Sequence, residues 1–275
     1  MNVISWNIRG LGADGKGGWC RKLKTENEVG FILIQETQFS SLDTINVSSF
    51  WGSGEFEFEY VDATGRSGSL ITLWNPKLFV KASVLKDRNM PVVSGHVKSD
   101  GSKLTVVNVY CPQRLQDKRR VWELMKSVKS DGDGLWIVAG DFNSVRDCAE
   151  RRNSNFDLAD SNAFNEFVED AELYEFGLKG RKFTYLANNK LSRIDRIFVD
   201  WTFYNKWPNA EYRVLDRDGS DHFPLLLKIG SSNFGAKPFK FFNSWLEREG
   251  FDDVVKNALE NFSFTGAPDS LDAEV

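Results

Sequence analysis

The sequence has little histidine and little cysteine, with 2 histidines and 3 cysteines in 275 residues. The cysteines, Cys20, Cys111 and Cys148, form no C-x-x-C pair and no metal-ligand spacing. This excludes a cysteine-based zinc site and a disulfide framework. An odd count without a framework is typical of a reducing compartment, so we expect the protein in the nucleus or the cytoplasm.

Long apolar runs are also missing. No run approaches the roughly 18–20 apolar residues that a membrane-spanning helix needs. The first ten residues, MNVISWNIRG, contain neither the basic segment nor the long apolar segment of a signal peptide. We therefore expect neither secretion nor a membrane partner.

The chain carries no excess of basic charge, since its formal net charge is −4. The surplus of acidic residues lies after Gly230, and the preceding part is neutral overall. This distribution neither supports nor excludes a nucleic-acid partner, because local basic patches remain compatible with a neutral average.

Apolar residues are plentiful, at 41%, and they recur in short β-branched and aromatic runs such as FILIQ (31–35), KLTVVNVY (103–110) and LWIVAG (135–140). Helical spacing of apolar residues predicts helices over 117–129 and 160–173, the second capped by Asp160 or Ser161. Many strands interleaved with few helices predict a mixed α/β fold in which two packed sheets are flanked by helices.

The composition changes after Gly230 and predicts a domain boundary there. We expect one large domain over residues 1–230, followed by a linker and a helical extension over 231–275. The segment GSSNFGAKP has linker composition, residues 239–262 have an irregular helical period, and the last dozen residues are small, polar and acidic.

Polar side chains follow several of the predicted strands, at the points where those strands end. Strand ends of two packed sheets meet in one cleft, so we expect these side chains to lie together. The residues at these strand ends are Asn7, Glu36, Tyr110, Asp141, Asn143, Asp195, Asp221 and His222.

This set suits hydrolysis of a phosphodiester. Glu36, Asn7 and Asp221 offer the oxygen donors that Mg²⁺ or Mn²⁺ prefers. Asp195 is the candidate carboxylate that would orient His222 and favour its charged form. We reject a serine hydrolase built on the neighbouring Ser220, because the sequence has no G-x-S-x-G elbow.

The same set supplies the remaining catalytic roles. Asp141 would orient or deprotonate the attacking water, and Asn143 would hold that water or a phosphate oxygen. Tyr110 would stabilise developing negative charge.

Six motifs in order, SWNIRGLG, IQET, NVYCPQ, GDFN, RIDRIF and SDHFPL, closely resemble the endonuclease/exonuclease/phosphatase superfamily, which includes deoxyribonuclease I and the abasic-site endonucleases. The resemblance spans residues 2–225. It implies a four-layered α/β sandwich and a magnesium-dependent phosphodiesterase. It also implies metal-site roles for Glu36 and Asn7 with Asp221 nearby, catalytic roles for Asp141, Asn143, Tyr110 and the Asp195–His222 pair, and a supporting role for Thr184.

Within the superfamily, the chain looks most like the endonuclease domain of plant non-LTR (LINE-type) retrotransposons. That resemblance implies nicking of one strand of double-stranded DNA to leave a 3′-OH and a 5′-phosphate. It also implies a reverse-transcriptase domain in cis, so the chain is either an excised domain or a remnant of an element. We expect a monomer.

Two departures from the superfamily pattern bear on the substrate. Gln113 stands where a small residue or Asn is common, and Arg9 replaces the Asp of abasic-site enzymes. The second departure weakens the repair reading, although an abasic-site endonuclease, a small-substrate phosphatase and an inactive DNA- or protein-binding remnant all stay open.

Polar and basic residues beside the predicted cleft are candidates for contacts to DNA phosphates. The alternative for each is a solvated helix face or a charged turn. The candidates are Gln113, Arg114, Lys118, Arg119 and Arg120, together with the KGRK segment at 179–182.

Overall fold

The computed structural model describes residues 1–10, 15–37, 47–62, 69–230 and 250–261. The chain divides into two compact units, residues 1–230 and 231–275. Of the second unit the structure describes one helix, α6 (Phe251–Asn261). The predicted linker lies outside the described residues.

A seven-stranded mixed sheet forms one half of the first unit. Its strands lie in the order β10-β14-β15-β1-β2-β4-β3. The bounds are β1 (Asn2–Asn7), β2 (Val29–Gln35), β3 (Glu57–Val61), β4 (Leu70–Trp74), β10 (Leu178–Lys179), β14 (Glu211–Val214) and β15 (Leu225–Lys228). Strands β1, β2 and β4 are buried on both faces, which explains their continuous apolar sequences.

A five-stranded mixed sheet forms the other half, in the order β13-β8-β7-β6-β5. Strands β7 and β8 pair in parallel and the other pairs are antiparallel. The bounds are β5 (Phe79–Leu85), β6 (Val92–Val97), β7 (Lys103–Tyr110), β8 (Leu135–Asp141) and β13 (Asp195–Val199).

The two sheets pack face to face around an apolar core that includes Leu33, Val106, Ile137 and Leu225. Helices cover the outer faces: α1 (Lys16–Glu26) and α2 (Ser48–Trp51) on the larger sheet, α3 (Leu115–Ser130) and α4 (Leu158–Asp170) on the smaller one. A short helix, α5 (Trp201–Lys206), follows β13. The layers run helix, sheet, sheet, helix, which confirms the predicted four-layered α/β sandwich.

A third, smaller sheet was not predicted. It has the order β11-β12-β9, with β9 (Arg151–Arg152), β11 (Tyr185–Ala187) and β12 (Lys190–Ser192). Strands of two or three residues are too short to show an alternating pattern, so the sequence gives no signal for them.

The predicted cap of α4 was wrong. Asp157, not Asp160 or Ser161, caps the helix, because its carboxylate accepts hydrogen bonds from the backbone N–H groups of Ala159 and Asp160. The side chain of Asp160 instead faces the interior. None of the helices in the described ranges is both long and apolar enough to cross a lipid bilayer.

Candidate active site

Strand register aligns three of the predicted catalytic side chains in one row. Tyr110 ends β7, Asp141 ends β8 and Asp195 begins β13, and Asp141 is the direct partner of both other residues in the sheet. Side chains opposite one another on adjacent strands project to the same face. The ladder therefore delivers a phenol and two carboxylates to one point at the sheet edge.

Asp195 and His222 form a buried pair. Nδ1 of His222 lies 3.0 Å from both carboxylate oxygens of Asp195, and each side chain is about 95% buried. Thr184, also buried, accepts hydrogen bonds at Oγ1 from the backbone N–H groups of Ile194 and Asp195. Thr184 therefore fixes the backbone that carries Asp195. Nδ1 of His222 faces Asp195, so Nε2 is the ring nitrogen that remains available to the cleft.

Asn7 joins the two sheets at the site. Its Nδ2 donates to Oε1 of Glu36 at 2.9 Å and to Oδ2 of Asp141 at 3.0 Å. Glu36 follows β2 with a φ of 53°, a left-handed conformation that turns its side chain into the cleft. Tyr110 hydrogen-bonds to Glu36. One amide therefore fixes a carboxylate from each sheet.

Every polar group of Asn143 forms a hydrogen bond, and its backbone is left-handed, with a φ of 51°. Its N–H donates to Asp141 at 2.8 Å, its Nδ2 to the carbonyl of Cys111 at 2.7 Å, and its Oδ1 accepts from Gln113 at 2.8 Å. Its carbonyl accepts from Nζ of Lys118 at 2.7 Å. The residue cannot turn without breaking several bonds.

Lys118 was predicted to contact DNA, and this was wrong. The residue is 3% exposed, and its ammonium donates to Asn143, to Oγ of Ser144 at 2.9 Å and to Asp160 at 2.6 Å. An ammonium has three donors, so none is left for a phosphate. Lys118 lies on the buried face of α3 together with Val121, and helical spacing could have shown this.

Ser220 has no catalytic contact with the imidazole ring. Its hydroxyl donates to the carbonyl of Asn7 at 2.8 Å and accepts from the backbone N–H of His222 at 3.1 Å. Nε1 of Trp6 donates to the carbonyl of His222 at 3.1 Å. These bonds fix the turn that carries the histidine, which agrees with the rejection of a serine hydrolase.

Asp221 lies at the rim rather than in the centre of the site. Oδ2 of Asp221 forms an ion pair with Arg9, and Oδ1 lies 3.9 Å from Nε2 of His222. Oδ1 is buried and has no hydrogen-bond partner among the described residues.

The site opens into a cleft of about 370 Å³. Predicted residues that line it are Glu36, Tyr110, Gln113, Asp141, Asn143 and His222. Sequence reasoning missed other lining residues, which come from the turn after β1 and from the small third sheet. These are Arg9, Arg151, Ser154, Tyr185, Lys190, Ser192 and Ile194.

The other predicted DNA contacts are exposed but do not line the cleft. Arg114, Arg119 and Arg120 are exposed at the start of α3, and Arg120 is paired with Asp87 at 3.5 Å. The two lysines and the arginine of the 179–182 segment are exposed as well. These residues remain predictions.

Burial and mutual charge shift the ionisation of the site. Burial and the neighbouring Asp195 carboxylate raise the pKa of Asp141 to about 7. Burial lowers the pKa of His222, but Asp195, Asp141 and Glu36 outweigh it and raise that pKa to about 9. Burial and the carboxylates of Glu36 and Asp141 raise the pKa of Tyr110. Near neutral pH the phenol is neutral, the imidazole is protonated and Asp141 is poised to accept a proton.

The residues present fit a divalent cation. The donors include the carboxylates of Glu36, Asp141 and Asp195, whose oxygens hard cations prefer. Donor atoms of Asp141, Asp195 and His222 lie within 4.8 Å of one another. Burial and the Asp195 carboxylate raise the pKa of Asp141, and Oδ1 of Asp221 lacks a partner in the described chain. A cation would relieve both.

The sequence profile of the Endonuclease/Exonuclease/phosphatase family matches residues 4–222. The chain belongs to this family, whose name covers enzymes that hydrolyse phosphate esters. The match runs from β1 to the histidine of the Asp195–His222 pair and so includes the whole cleft.

A curated relative is the "Transposon TX1 uncharacterized 149 kDa protein" of Xenopus laevis, which is 24% identical over 208 residues. The match covers 70% of this chain but 16% of the relative, so the chain spans about one sixth of that protein's length.

Solved structures share the fold. The AP endonuclease LMAP from Leishmania major superposes with a TM-score of 0.63 at 13% identity, covering 82% of this chain and 86% of the other. The endonuclease domain of TRAS1, a telomere-specific non-LTR retrotransposon, gives 0.62 at 17% identity, covering 83% and 97%.

Proposed function

We propose that this chain is a divalent-metal-dependent endonuclease that nicks one strand of double-stranded DNA and leaves a 3′-OH and a 5′-phosphate. The observation that carries the proposal is the cluster of Asp141, Asp195 and His222 in an open cleft whose walls carry cationic side chains. The carboxylates and imidazole suit water attack on a phosphodiester, and the cations suit a polyanionic strand.

We further propose that the natural task is target-site nicking for a LINE-type retrotransposon. The similarity to a transposon protein and the likeness to the fold of a retrotransposon endonuclease support this. A reverse-transcriptase domain in cis, a monomeric state and action in the nucleus belong to the same proposal.

In this mechanism Asp141 accepts the proton of the attacking water, and Asn143, fixed by its backbone and side-chain bonds, orients that water. Protonated His222, held by Asp195, donates from Nε2 to a phosphate oxygen as negative charge develops. The P–O3′ bond then breaks, and O3′ takes a proton from solvent water and leaves as the 3′-OH, while Asp141 returns its proton to solvent. Tyr110 donates a hydrogen bond from its neutral phenol. Tyr110, Asp141, Asn143 and His222 line one cleft, which supports their acting on the same phosphorus.

Glu36 and Asn7, with Oδ1 of Asp221 nearby, would hold Mg²⁺, with Mn²⁺ as a substitute. When bound, the cation supplies Lewis acidity and neutralises charge on the phosphate. The protein's own contribution is to fix Glu36 and Asp141 through the amide of Asn7.

The test is nicking of supercoiled plasmid in Mg²⁺, with EDTA as the metal-free arm. We expect His222→Ala to lower the rate by about 100- to 10,000-fold, since general acid catalysis is worth roughly 10²–10⁴. His96→Ala is the matched control, because His96 is the other histidine and lies exposed on β6. Sealing of the product by DNA ligase would identify the 3′-OH and 5′-phosphate ends.

Alternative substrates are tested in parallel on an abasic oligonucleotide and a sugar phosphate. Cleavage restricted to the abasic site would favour a repair enzyme, and turnover of the sugar phosphate alone would favour a phosphatase. Full activity in His222→Ala would contradict the site assignment. Binding of DNA without cleavage would favour an inactive remnant.

A further inference from the structure

The turn after β1 is fixed by a buried lysine. The side chain of Lys16, on α1, donates from Nζ to the carbonyls of Ile8 at 2.8 Å, Gly10 at 2.6 Å and Arg9 at 3.4 Å. Lys16 is 6% exposed. One ammonium therefore organises three consecutive carbonyls and shapes the loop that enters the cleft.

Arg9 is held within that turn in a left-handed conformation, with a φ of 47°. Its N–H donates to Oδ1 of Asn7 at 3.1 Å, and the N–H of Gly10 donates to the carbonyl of Glu36. A bulky residue with positive φ is strained and persists where the surroundings fix it. The backbone thus commits the Arg9 side chain to the cleft side of the turn.

The guanidinium of Arg9 is held at one end only. Nη1 pairs with Oδ2 of Asp221, the residue before His222, while 55% of the Arg9 side chain is exposed. Arg9 lines the same cleft as Glu36 and His222. A guanidinium has five N–H donors, and the described residues offer it no partner besides Asp221.

We propose that Arg9 binds a non-bridging oxygen of the phosphodiester that is cut, with Asp221 holding one side of the fork and the anion taking the other. This rests on the proposed function and names a substrate contact within it. A planar guanidinium already oriented by a carboxylate matches phosphate geometry and loses little conformational freedom on binding.

The same placement explains why an exposed arginine stands among acids. Glu36 and Asp141 repel a phosphate, and protonated His222 supplies one positive charge against them. Arg9 adds a second, permanent charge that does not depend on pH. The Arg9 side chain is 55% exposed whereas Asp141 is 1% exposed, so the cation is more accessible to an anion than that carboxylate is.

The test compares Arg9→Gln and Arg9→Lys with Arg213→Gln. Arg213 is a matched control, since it is an arginine on β14 that pairs with Glu211 and does not line the cleft. We expect Arg9→Gln to lower kcat for plasmid nicking about 100-fold, as for loss of one oriented donor to a developing oxyanion. Arg9→Lys should lose about tenfold, because an ammonium cannot bridge the carboxylate and the phosphate as a fork does. Arg213→Gln should stay within about twofold.

A second readout does not require catalysis. Inorganic phosphate, added in EDTA, should raise the Tm of the wild-type chain and of Arg213→Gln, because a ligand of the folded state stabilises it. The shift in Arg9→Gln, measured from its own Tm, should be less than half as large. An Arg9→Gln variant within threefold of wild-type kcat would overturn the inference, as would equal phosphate shifts or no shift in the wild type.

The two proposals fail in different ways. If the wild-type chain does not nick DNA, the endonuclease proposal fails, and the phosphate shift alone decides whether Arg9 binds the anion. If kcat falls in Arg9→Gln while the phosphate shift is unchanged, Arg9 shapes the site without contacting phosphate and this inference is wrong.

Discussion

Two neighbouring residues of β13, Asp195 and Arg196, enter two buried charged clusters of opposite character. Successive side chains of a strand point to opposite faces. Asp195 belongs to the cleft cluster, which we define as Glu36, Asp141, Asp195 and His222. Arg196 belongs to the arginine cluster, which we define as Glu150, Glu175, Arg193 and Arg196.

The arginine cluster is balanced, with two cations against two anions. Arg196 is fully buried and contacts Glu150 and, at 2.9 Å, Glu175. Arg193 contacts Glu175 at 2.9 Å and Glu150 at 3.5 Å. Burial lowers the pKa of Arg196, but the two glutamates outweigh it and raise that pKa. The formal charges of the cluster balance one another, and its remaining unpartnered buried atoms among the described residues are Nε of Arg193 and Nε of Arg196.

The cleft cluster is unbalanced, with three carboxylates against one imidazole. Burial and the neighbouring Asp195 carboxylate raise the pKa of Asp141, and a cation or a positively charged neighbour would offset the surplus of negative charge. The contrast teaches that burial alone does not mark a functional site. Buried charge that lacks its complement does, because the missing partner is what a ligand can supply.

The largest expected effect removes one cation from the balanced side. Arg196→Met leaves two buried glutamates with one arginine, so we expect a loss of about 3–5 kcal/mol in the free energy of unfolding. Urea denaturation measures it. Nicking per folded molecule at low temperature should stay within about threefold.

Arg213→Met is the control for Arg196→Met, since exposed ion pairs contribute about 0–1 kcal/mol. A loss below 1 kcal/mol in Arg196→Met, or a hundredfold loss of activity in folded protein, would erase the contrast between the two clusters.

A smaller effect is expected for the buried ion pair of Lys118 and Asp160, because Lys118 also contacts Asn143 at the cleft. Lys118→Met strands the Asp160 carboxylate and frees the carbonyl of Asn143, which should cost about 2–3 kcal/mol. Because Asn143 loses a fixed position, kcat should also fall by about tenfold or more.

The double variant Lys118→Met/Asp160→Leu separates these effects. It removes the stranded charge, so the free energy of unfolding should recover, while the Asn143 carbonyl still lacks its donor and kcat should stay low. Recovery of both quantities would show that Lys118 stabilises the fold without positioning Asn143.

The smallest expected change in stability is a gain rather than a loss. The pKa of Asp141 is raised in the folded state, so its ionised form destabilises the fold once the pH exceeds its ordinary value of 3.8. Asp141→Asn should therefore raise the Tm at pH 8 by about 2–4 °C, equivalent to about 1 kcal/mol, and abolish nicking. The gain should vanish at pH 4.

Scanning calorimetry in EDTA at both pH values measures this gain. The exposed Asp133→Asn is the control for loss of one carboxylate. A lower Tm for Asp141→Asn at pH 8 would mean that the ionised carboxylate is stabilising and that the charge surplus is compensated.

Much of this architecture was predictable from strand ends. Tyr110, Asp141 and Asp195 follow or begin apolar runs, and sheet register then brings them together as expected. The same runs predicted two packed sheets flanked by helices, and the family resemblance implied the four-layered sandwich. The functional roles of these residues remain predictions that the experiments above address.

Other features left too weak a signal in the sequence. Helix α1 contains Gly17 and Gly18, which have low helix propensity, so it was not predicted. A Cβ at Gly17 would lie 3.0 Å from the carbonyl of Ser49, which explains why a glycine is used in spite of its cost.

The cleft wall formed by Arg151 and Lys190 escaped notice because each lies on a strand of two or three residues. The error at Lys118 was of another kind. Its spacing from Val121 places Lys118 on the buried face of α3, but the prediction relied on its positive charge instead.

The register of β7, β8 and β13 limits where the gene can tolerate insertions and deletions. Deleting one residue within β8 would turn Asp141, and every β8 side chain between it and the deletion, to the opposite face. The deletion would therefore disrupt both the packing of the sheet and the predicted catalytic site. Insertions in the turn between Ala187 and Lys190, by contrast, leave the ladder intact and reshape only the wall against which a substrate lies. Under the proposed function, lineages can therefore change the substrate while the predicted catalytic groups stay in place.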